Sequence, residues 1–428
     1  MYLEFSDYDK TLLKRPNDGN RDISNTVAGI IEDVKERGDE ALREYALRFD
    51  GSELDDLYAS PAEFEEAEKL IDPDLKKAID HARRNIRRFH EAELPEGEDV
   101  ETESGVRCWR KIVPISRVGL YVPGGTAPLF STVLMLAVPA SVAGCKDIIL
   151  ATPAKNGRVN PVILYSAAVS GVHSVLKVGG AQAIAAFAYG TESVSKRDKI
   201  FGPGNSYVTE AKRQISAVAS IDMLAGPSEV MVAVDSSSNP EFAAADLLSQ
   251  AEHGKDSQAM LLIRAGSREE AERIHLSVDN AIGKELDRIG RHEYMLPSLS
   301  HSFAFPVYSD NDLIAAINDY APEHLIISTE NPEKILEGVE NAGSVFLGAY
   351  TPESAGDYAS GTNHTLPTSG WARSSSGVSV DSFIKKITVQ HIDRKGLENL
   401  GGTIRCMAEA EGLEAHSYAV KVRLSDDK

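Results

Sequence analysis

The chain has 428 residues, 42% hydrophobic and 26% charged, which describes ordinary globular domains and excludes a disordered or fibrous class. At about 150 residues per domain this length predicts two or three folding units. With 45 basic against 65 acidic residues the formal net charge is −20, which repels a phosphate backbone and removes nucleic acid from the expected partners.

The N-terminus, "MYLEFSDYDKTLLKRPNDG", places acids and a lysine where a signal peptide needs an apolar run. The longest apolar stretch, "VLMLAVPASVAG" from Val133, contains Pro139 and falls short of the roughly 20 residues that span a bilayer. The expectation is a cytoplasmic protein without a membrane span. Further along, "DISNTVAGIIEDVKERGDEALREYALRFDG" places Val27, Ile30, Ile31, Val34, Ala41 and Leu42 near one helical face, closed by Gly51. A second helix begins at Asp72, and the acidic stretch "EAELPEGEDVETESG" reads as a solvated connection or hairpin.

After Ile112 short β-branched runs alternate with small-residue helices. "KDIILATPA", "SVLKVGGAQA", "DKIFGPGN" and "EVMVAVD" read as strands, and "PVILYSAAVSG", "AIAAFAYG" and "SYVTEAKRQIS" as helices. A second series follows, from the helix "PEFAAADLLSQAEH" through the strands "AMLLIRAG", "FAFPVYSD", "HLIIST" and "SVFLG". Such alternation predicts two successive α/β units with parallel sheets, the N-terminal helices packing on one of them. Past Gly361 the chain reads as loop and then as a helical tail, "LENLGGTIRCMAEAEGLEAHSYAVKVRL", too small for its own core. Cys108, Cys145 and Cys406 are far apart with no CxxC spacing, so free thiols are expected.

Three glycine-rich turns each follow a strand-like run: "YVPGGTAP" (121–128), "VGGAQA" (178–183) and "GPGNSYV" (202–208). Glycine admits positive φ and lets backbone N–H groups approach a phosphate. Neither GxGxxG nor a P-loop occurs, so singly each turn reads as a plain turn. Three in one α/β unit predict a ligand crevice at the strand ends.

A second group of candidates is scattered: Gln250 and His253, three apart and so on one helical face, Glu323 with His324, Asp357 with His364, and Glu411 with His416. Histidine with carboxylate or amide and no thiolate suits a zinc ion in a catalytic site. Each has a plainer alternative. A histidine at a helix end serves as a cap or meets solvent, Asp357 caps a loop, and Glu323 and His324 form an exposed strand entry. Their common position at the ends of elements favours a metal site.

The blocks "GLYVPGGTAPLFSTVLMLAVPA", "GGAQAIAAFAYGTESV", "DKIFGPGNSYVTEAKRQ", "DMLAGPSEV", "DLLSQAEHGKDSQ", "YAPEHLII", "SAGDYASGTNHTLPT" and "EGLEAHSYAV" resemble histidinol dehydrogenases, in the family's order. The resemblance implies two incomplete Rossmann-like parallel-sheet domains with small N-terminal and C-terminal helical segments. The implied division is 1–21, then 22–120 with 228–376 for zinc and substrate, 121–227 for NAD, and 377–428 as a dimer-crossing tail. Zinc would be held by Gln250, His253, Asp357 and His416, with Glu323 and His324 as the acid-base pair. Histidinol would meet Ser228, Gln250, His253, Glu323, His324, Asp357, His364, Glu411 and His416, and NAD would meet Tyr121, Gln182 and Asn205. Departures fall elsewhere, at Leu224, where proline is often seen, and in a slightly longer "AKNGRVNP".

The implied reaction is the last step of histidine biosynthesis: histidinol becomes histidine through an enzyme-held aldehyde, reducing two NAD, in a homodimer whose tails complete each other's sites. Adjacent residues on an extended segment point to opposite faces, so Glu323 and His324 share a site only where the backbone turns, aided by Pro322. A zinc hydrolase using Glu323 as base leaves the glycine-rich turns unexplained. A non-enzymatic α/β binder would have no activity for a chelator to remove.

Overall fold

Two all-parallel sheets organise the computed structural model, which describes residues 2–9, 13, 15, 21–124 and 128–425. The first sheet runs, edge to edge, Ser174–Leu176, Asp147–Ala151, Arg117–Tyr121, Lys199–Phe201 and Ser220–Ile221. The second runs Glu4–Phe5, Phe303–Val307, Gln258–Arg264, Glu229–Val234, His324–Ser328 and Ser344–Leu347. Counted along the chain, both have the order 3-2-1-4-5, the second with Glu4–Phe5 added at its edge. This is a Rossmann-like order short of its sixth strand, and it bears out the expected α/β class.

Parallel strands covered on both faces must be apolar on both, which accounts for the unbroken runs. All of Glu229–Val234 is buried: Val230, Val232 and Val234 enter one core and Met231 and Ala233 the other. The helix Phe130–Ala143 is likewise buried continuously from Ser131 to Ala140, as expected of a helix with apolar residues on every side.

The N-terminal helical run differs from its expected form. It breaks into Arg21–Arg37 and Asp39–Asp50 at Gly38, whose φ is 54°. A Cβ there would lie 2.1 Å from the Glu192 carboxylate, which accepts the Asp39 N–H at 2.8 Å. Pro73–Ala92 starts at Asp72, whose side chain accepts from the N–H of Asp74 and Leu75. Residues 22–92, grouped in the expected division with 228–376, instead share a core with the first sheet: Val27, Val34, Leu42, Ile79 and Ile86 join Leu120, Leu150, Phe187 and Phe201. An amphipathic pattern shows that a helix has an apolar face and not which sheet it covers. The boundary at 120/121 also cuts the strand Arg117–Tyr121.

The acidic stretch ends in a hairpin, Asp99–Glu103 with Val106–Pro114, turning at Gly105 with φ 85°. Ile384–Ile392, unforeseen in the sequence, pairs antiparallel with the whole of Val106–Pro114. The tail then forms two mutually packed helices, Arg394–Ala410 and Glu414–Leu424, in which Val420 and Leu424 close on Gly401. Met407 and Tyr418 on this pair are 61% and 63% exposed. Among the described residues no helix is long and apolar enough to cross a membrane.

Candidate active site

The amino ends of Glu229–Val234 and His324–Ser328, adjacent in the second sheet, bring together a cluster of buried polar side chains that includes Glu229, Glu323 and His324. Ser228 immediately precedes the first strand, and Glu323 immediately precedes the second. The chain reaches Glu323 through Ala321, in the left-handed region at φ 53°, and Pro322. Glu323 therefore lies before the strand and escapes strand alternation, as the turn expected at Pro322 required. Its Oε2 lies 3.8 Å from His324 Nδ1.

Glu323 accepts the Glu229 N–H at 2.9 Å. Burial pushes its carboxyl up to about 7, although His324 and that N–H favour the charged form. His324 is buried, with Nδ1 3.3 Å from the Glu229 carbonyl oxygen and 3.6 Å from Glu353 Oε1, while Nε2 lies 3.6 Å from Asp357 Oδ1. Burial works to lower this imidazole, but Glu323, Glu353 and Asp357 outweigh it and raise the ring to about 10.

The rest of the cluster comes from two short segments. Gln250 is fully buried at the end of the helix Pro240–Ala251, and His253 follows in the turn beyond it. Glu353 and Asp357, one turn apart, share a face of Glu353–Tyr358. The donor atoms of His253, Glu353 and Asp357 all lie within 4.8 Å of one another. One branch of the Gln250 amide has only acceptors around it, Glu353 Oε1 at 2.9 Å and the Glu229 carbonyl at 3.3 Å, which assigns the nitrogen to that branch as donor to both. Its amide oxygen thus occupies the other branch. An imidazole, a carboxylate and an amide oxygen beside further carboxylates fit a divalent cation of the zinc kind.

His364 is fixed from both ring nitrogens, Nδ1 at 2.8 Å from the Asp357 carbonyl oxygen and Nε2 at 3.1 Å from Thr132 Oγ1. Burial lowers its pKa against the pull of Asp357. Desolvation by its surroundings likewise lowers His253, although the residue itself is exposed. Ser228 lies at the edge of the cluster, its carbonyl oxygen accepting the Gln258 N–H at 3.1 Å. Glu411 and His416 stay outside the cluster. Both are exposed on the C-terminal helices, and their side chains form no hydrogen bond or ion pair among the described residues. Glu353 was missed in the sequence, where its spacing of four from Asp357 was the available signal.

The three glycine-rich turns meet at the carboxyl ends of the first sheet, around the point where strand order reverses. Tyr121 ends the central strand, and its hydroxyl accepts the Gly180 N–H at 3.0 Å. Gln182 is buried in the first turn of Gly180–Tyr189. Asn205 caps Ser206–Ile215, accepting from the N–H of Tyr207 and Val208. Gly202, at φ 122°, passes so close that a Cβ would lie 2.0 Å from the Tyr121 carbonyl oxygen. Residues 125–127 of the first turn lie outside the described residues. Beyond that turn, the helix Phe130–Ala143 presents Thr132 to His364 and the Met135 carbonyl to the Asn363 amide at 2.6 Å. The glycine-rich edge of one sheet and the polar cluster of the other therefore adjoin.

Comparison with known proteins agrees over the full length. The family model described as histidinol dehydrogenase matches residues 13–424. A histidinol dehydrogenase of Bacteroides thetaiotaomicron is 53% identical over 416 residues, covering 97% of this chain and 96% of that relative. Another, from Mannheimia succiniciproducens, is 49% identical, covering 95% of this chain and 94% of the relative. The crystal structure of histidinol dehydrogenase from Elizabethkingia anophelis superposes with a TM-score of 0.95 at 47% identity, covering 99% of this chain and 98% of that one. A match of this extent, in sequence and in fold alike, means that the chain belongs to the histidinol dehydrogenase family.

Proposed function

We propose that the chain oxidises histidinol to histidine through histidinaldehyde, using zinc and NAD, as the last step of histidine biosynthesis. The observation that carries the reading is the meeting of Glu323 and His324 with Gln250, His253 and Asp357 in one cluster, joined through His364 and Thr132 to the glycine-rich edge. Gln250, His253 and Asp357 would hold the zinc ion, with His416 of the partner subunit, and the ion supplies a template that orients the substrate's nitrogens. Tyr121, Gln182 and Asn205 would hold NAD, which accepts hydride.

His324 is placed to take the alcohol proton as hydride departs. With the surrounding carboxylate charge balanced by a cation, its ring holds a proton less tightly and can act as a base near neutrality. Glu323, with its pKa near 7, is suited to take a proton from water as that water adds to the aldehyde. Ser228 and His364 flank the cluster as substrate contacts, and Glu411 with His416 would reach the neighbouring subunit's site.

Converting an alcohol to a carboxylate removes four electrons, so two NADH should appear per histidinol. The purified chain, given limiting histidinol and excess NAD, should reach that ratio by absorbance, lose activity on chelation and regain it with zinc. A ratio near one, or activity indifferent to chelation, contradicts the reading.

A further inference from the structure

We propose that Glu353 is a positioning residue that orients the Gln250 amide so that its oxygen, and not its nitrogen, is offered to the metal. The inference rests on the metal reading above and extends it to a residue with no role there. Glu353 is fully buried. Its carboxylate accepts from the Ser249 hydroxyl at 3.1 Å, faces His324 Nδ1 at 3.6 Å, and lies 2.9 Å from the branch of the Gln250 amide that its acceptor surroundings assign to nitrogen.

Burying a carboxylate in this way is costly, and scaffolding alone would be served as well by an apolar side chain of similar volume. The chemistry of the amide supplies the reason. A glutamine side chain is nearly symmetric in shape, yet only its oxygen has a lone pair for a cation, while its NH2 end repels one. An acceptor placed at one branch selects the orientation. Glu353 is that acceptor, assisted by the Glu229 carbonyl oxygen at 3.3 Å. Ser249 and Gln250 belong to Pro240–Ala251, while Glu353 and Asp357 belong to Glu353–Tyr358. The carboxylate thus also ties the helix carrying the amide to the helix carrying the second oxygen donor.

The test is zinc affinity, read by competition between the full-length apoprotein and a chromophoric chelator. Glu353→Ala should weaken zinc binding about 10- to 100-fold, the usual loss when an outer partner of a ligand is removed. Glu353→Gln keeps an acceptor oxygen for the Gln250 amide and should stay within about threefold of the parent. If Glu353 were instead a direct ligand, Glu353→Gln would exchange an anionic oxygen for a weaker neutral one and lose well over threefold, and that result overturns the proposal. Gln250→Glu makes orientation irrelevant, because both branches are then oxygen. In that background Glu353→Ala should no longer weaken zinc, and a loss as large as in the parent also overturns the proposal. The Glu353→Gln comparison decides the matter even if Glu353→Ala alone does not fold. His253→Ala is the control: zinc retained there refutes the metal reading itself, whereas zinc lost there but undiminished in every Glu353 variant refutes only the role of Glu353.

Discussion

Gln250 and His253, the proposed zinc ligands, are close in sequence but would be unequal as donors. An imidazole nitrogen is a good donor to zinc, and a neutral amide oxygen is a weaker one. Gln250→Ala should therefore loosen the metal less than His253→Ala, measured as zinc per chain after a fixed chelator challenge; equal retention contradicts the assignment. Asp50 offers a separate test of buried charge. Its Oδ2 is buried without a hydrogen-bond partner, and burial pushes the carboxyl up to about 6. Because the folded value exceeds the unfolded one near 3.9, folding is favoured at low pH and this contribution is lost as pH rises through about 6. Asp50→Asn should accordingly raise stability at pH 8 by about 1 kcal/mol once partial exposure is allowed for, read as a higher melting temperature, and change little at pH 4. A larger gain at pH 4 would reverse the sign of this account.

Among the elements, the turn 202–205 shows how buried charge shapes a loop. Lys212, on Ser206–Ile215, donates to the Gly202 carbonyl at 3.0 Å, and Asp222 accepts the Gly202 N–H at 2.7 Å. The two side chains also form a buried ion pair with each other. Both backbone polar groups of Gly202, the residue that passes against Tyr121, are thereby fixed. Removing one partner leaves the other charge unpaired, at a cost of about 3–5 kcal/mol. Lys212→Met should lower stability by that order and raise the KM for NAD more than the KM for histidinol. A proportional rise in both would argue against the proposed role of this turn in holding NAD.

Considered whole, the molecule repeats one strand order but uses opposite edges of its two sheets. The first offers glycine-rich turns at its carboxyl ends, and the second places Ser228, Glu323 and His324 at its amino ends. The helices Arg394–Ala410 and Glu414–Leu424 stand apart from both, with Met407, Leu413, Tyr418 and Val422 exposed. An apolar surface beside unpaired Glu411 and His416 fits a tail that reaches a second copy of the chain. Mixing His416→Ala subunits with Glu323→Ala subunits should restore part of the activity, since one site of each heterodimer would then be intact. No recovery on mixing would mean that every site is built from a single chain.

Much of this was legible in the residues themselves. Short β-branched apolar runs marked the parallel strands, Asp72 marked a helix start, and a turn beside Pro322 followed from two adjacent side chains needing one site. The family blocks point to Gln250, His253, Asp357 and His416 as implied zinc ligands, and the fold gathers the first three around Glu353. Other features depend on partners distant in the chain. Gly38 breaks a helix because Glu192 lies against it, and Ile384–Ile392 becomes a strand because Val106–Pro114 has a free edge. Glu353 looks like one surface acid among many until the fold closes it beneath Gln250 and His324. Local sequence determines which residues form helix, strand or turn and which chemical groups are available. Which surfaces meet, and so which carboxylates are buried together, is decided only by packing, because burial and charge proximity are properties of the assembled chain.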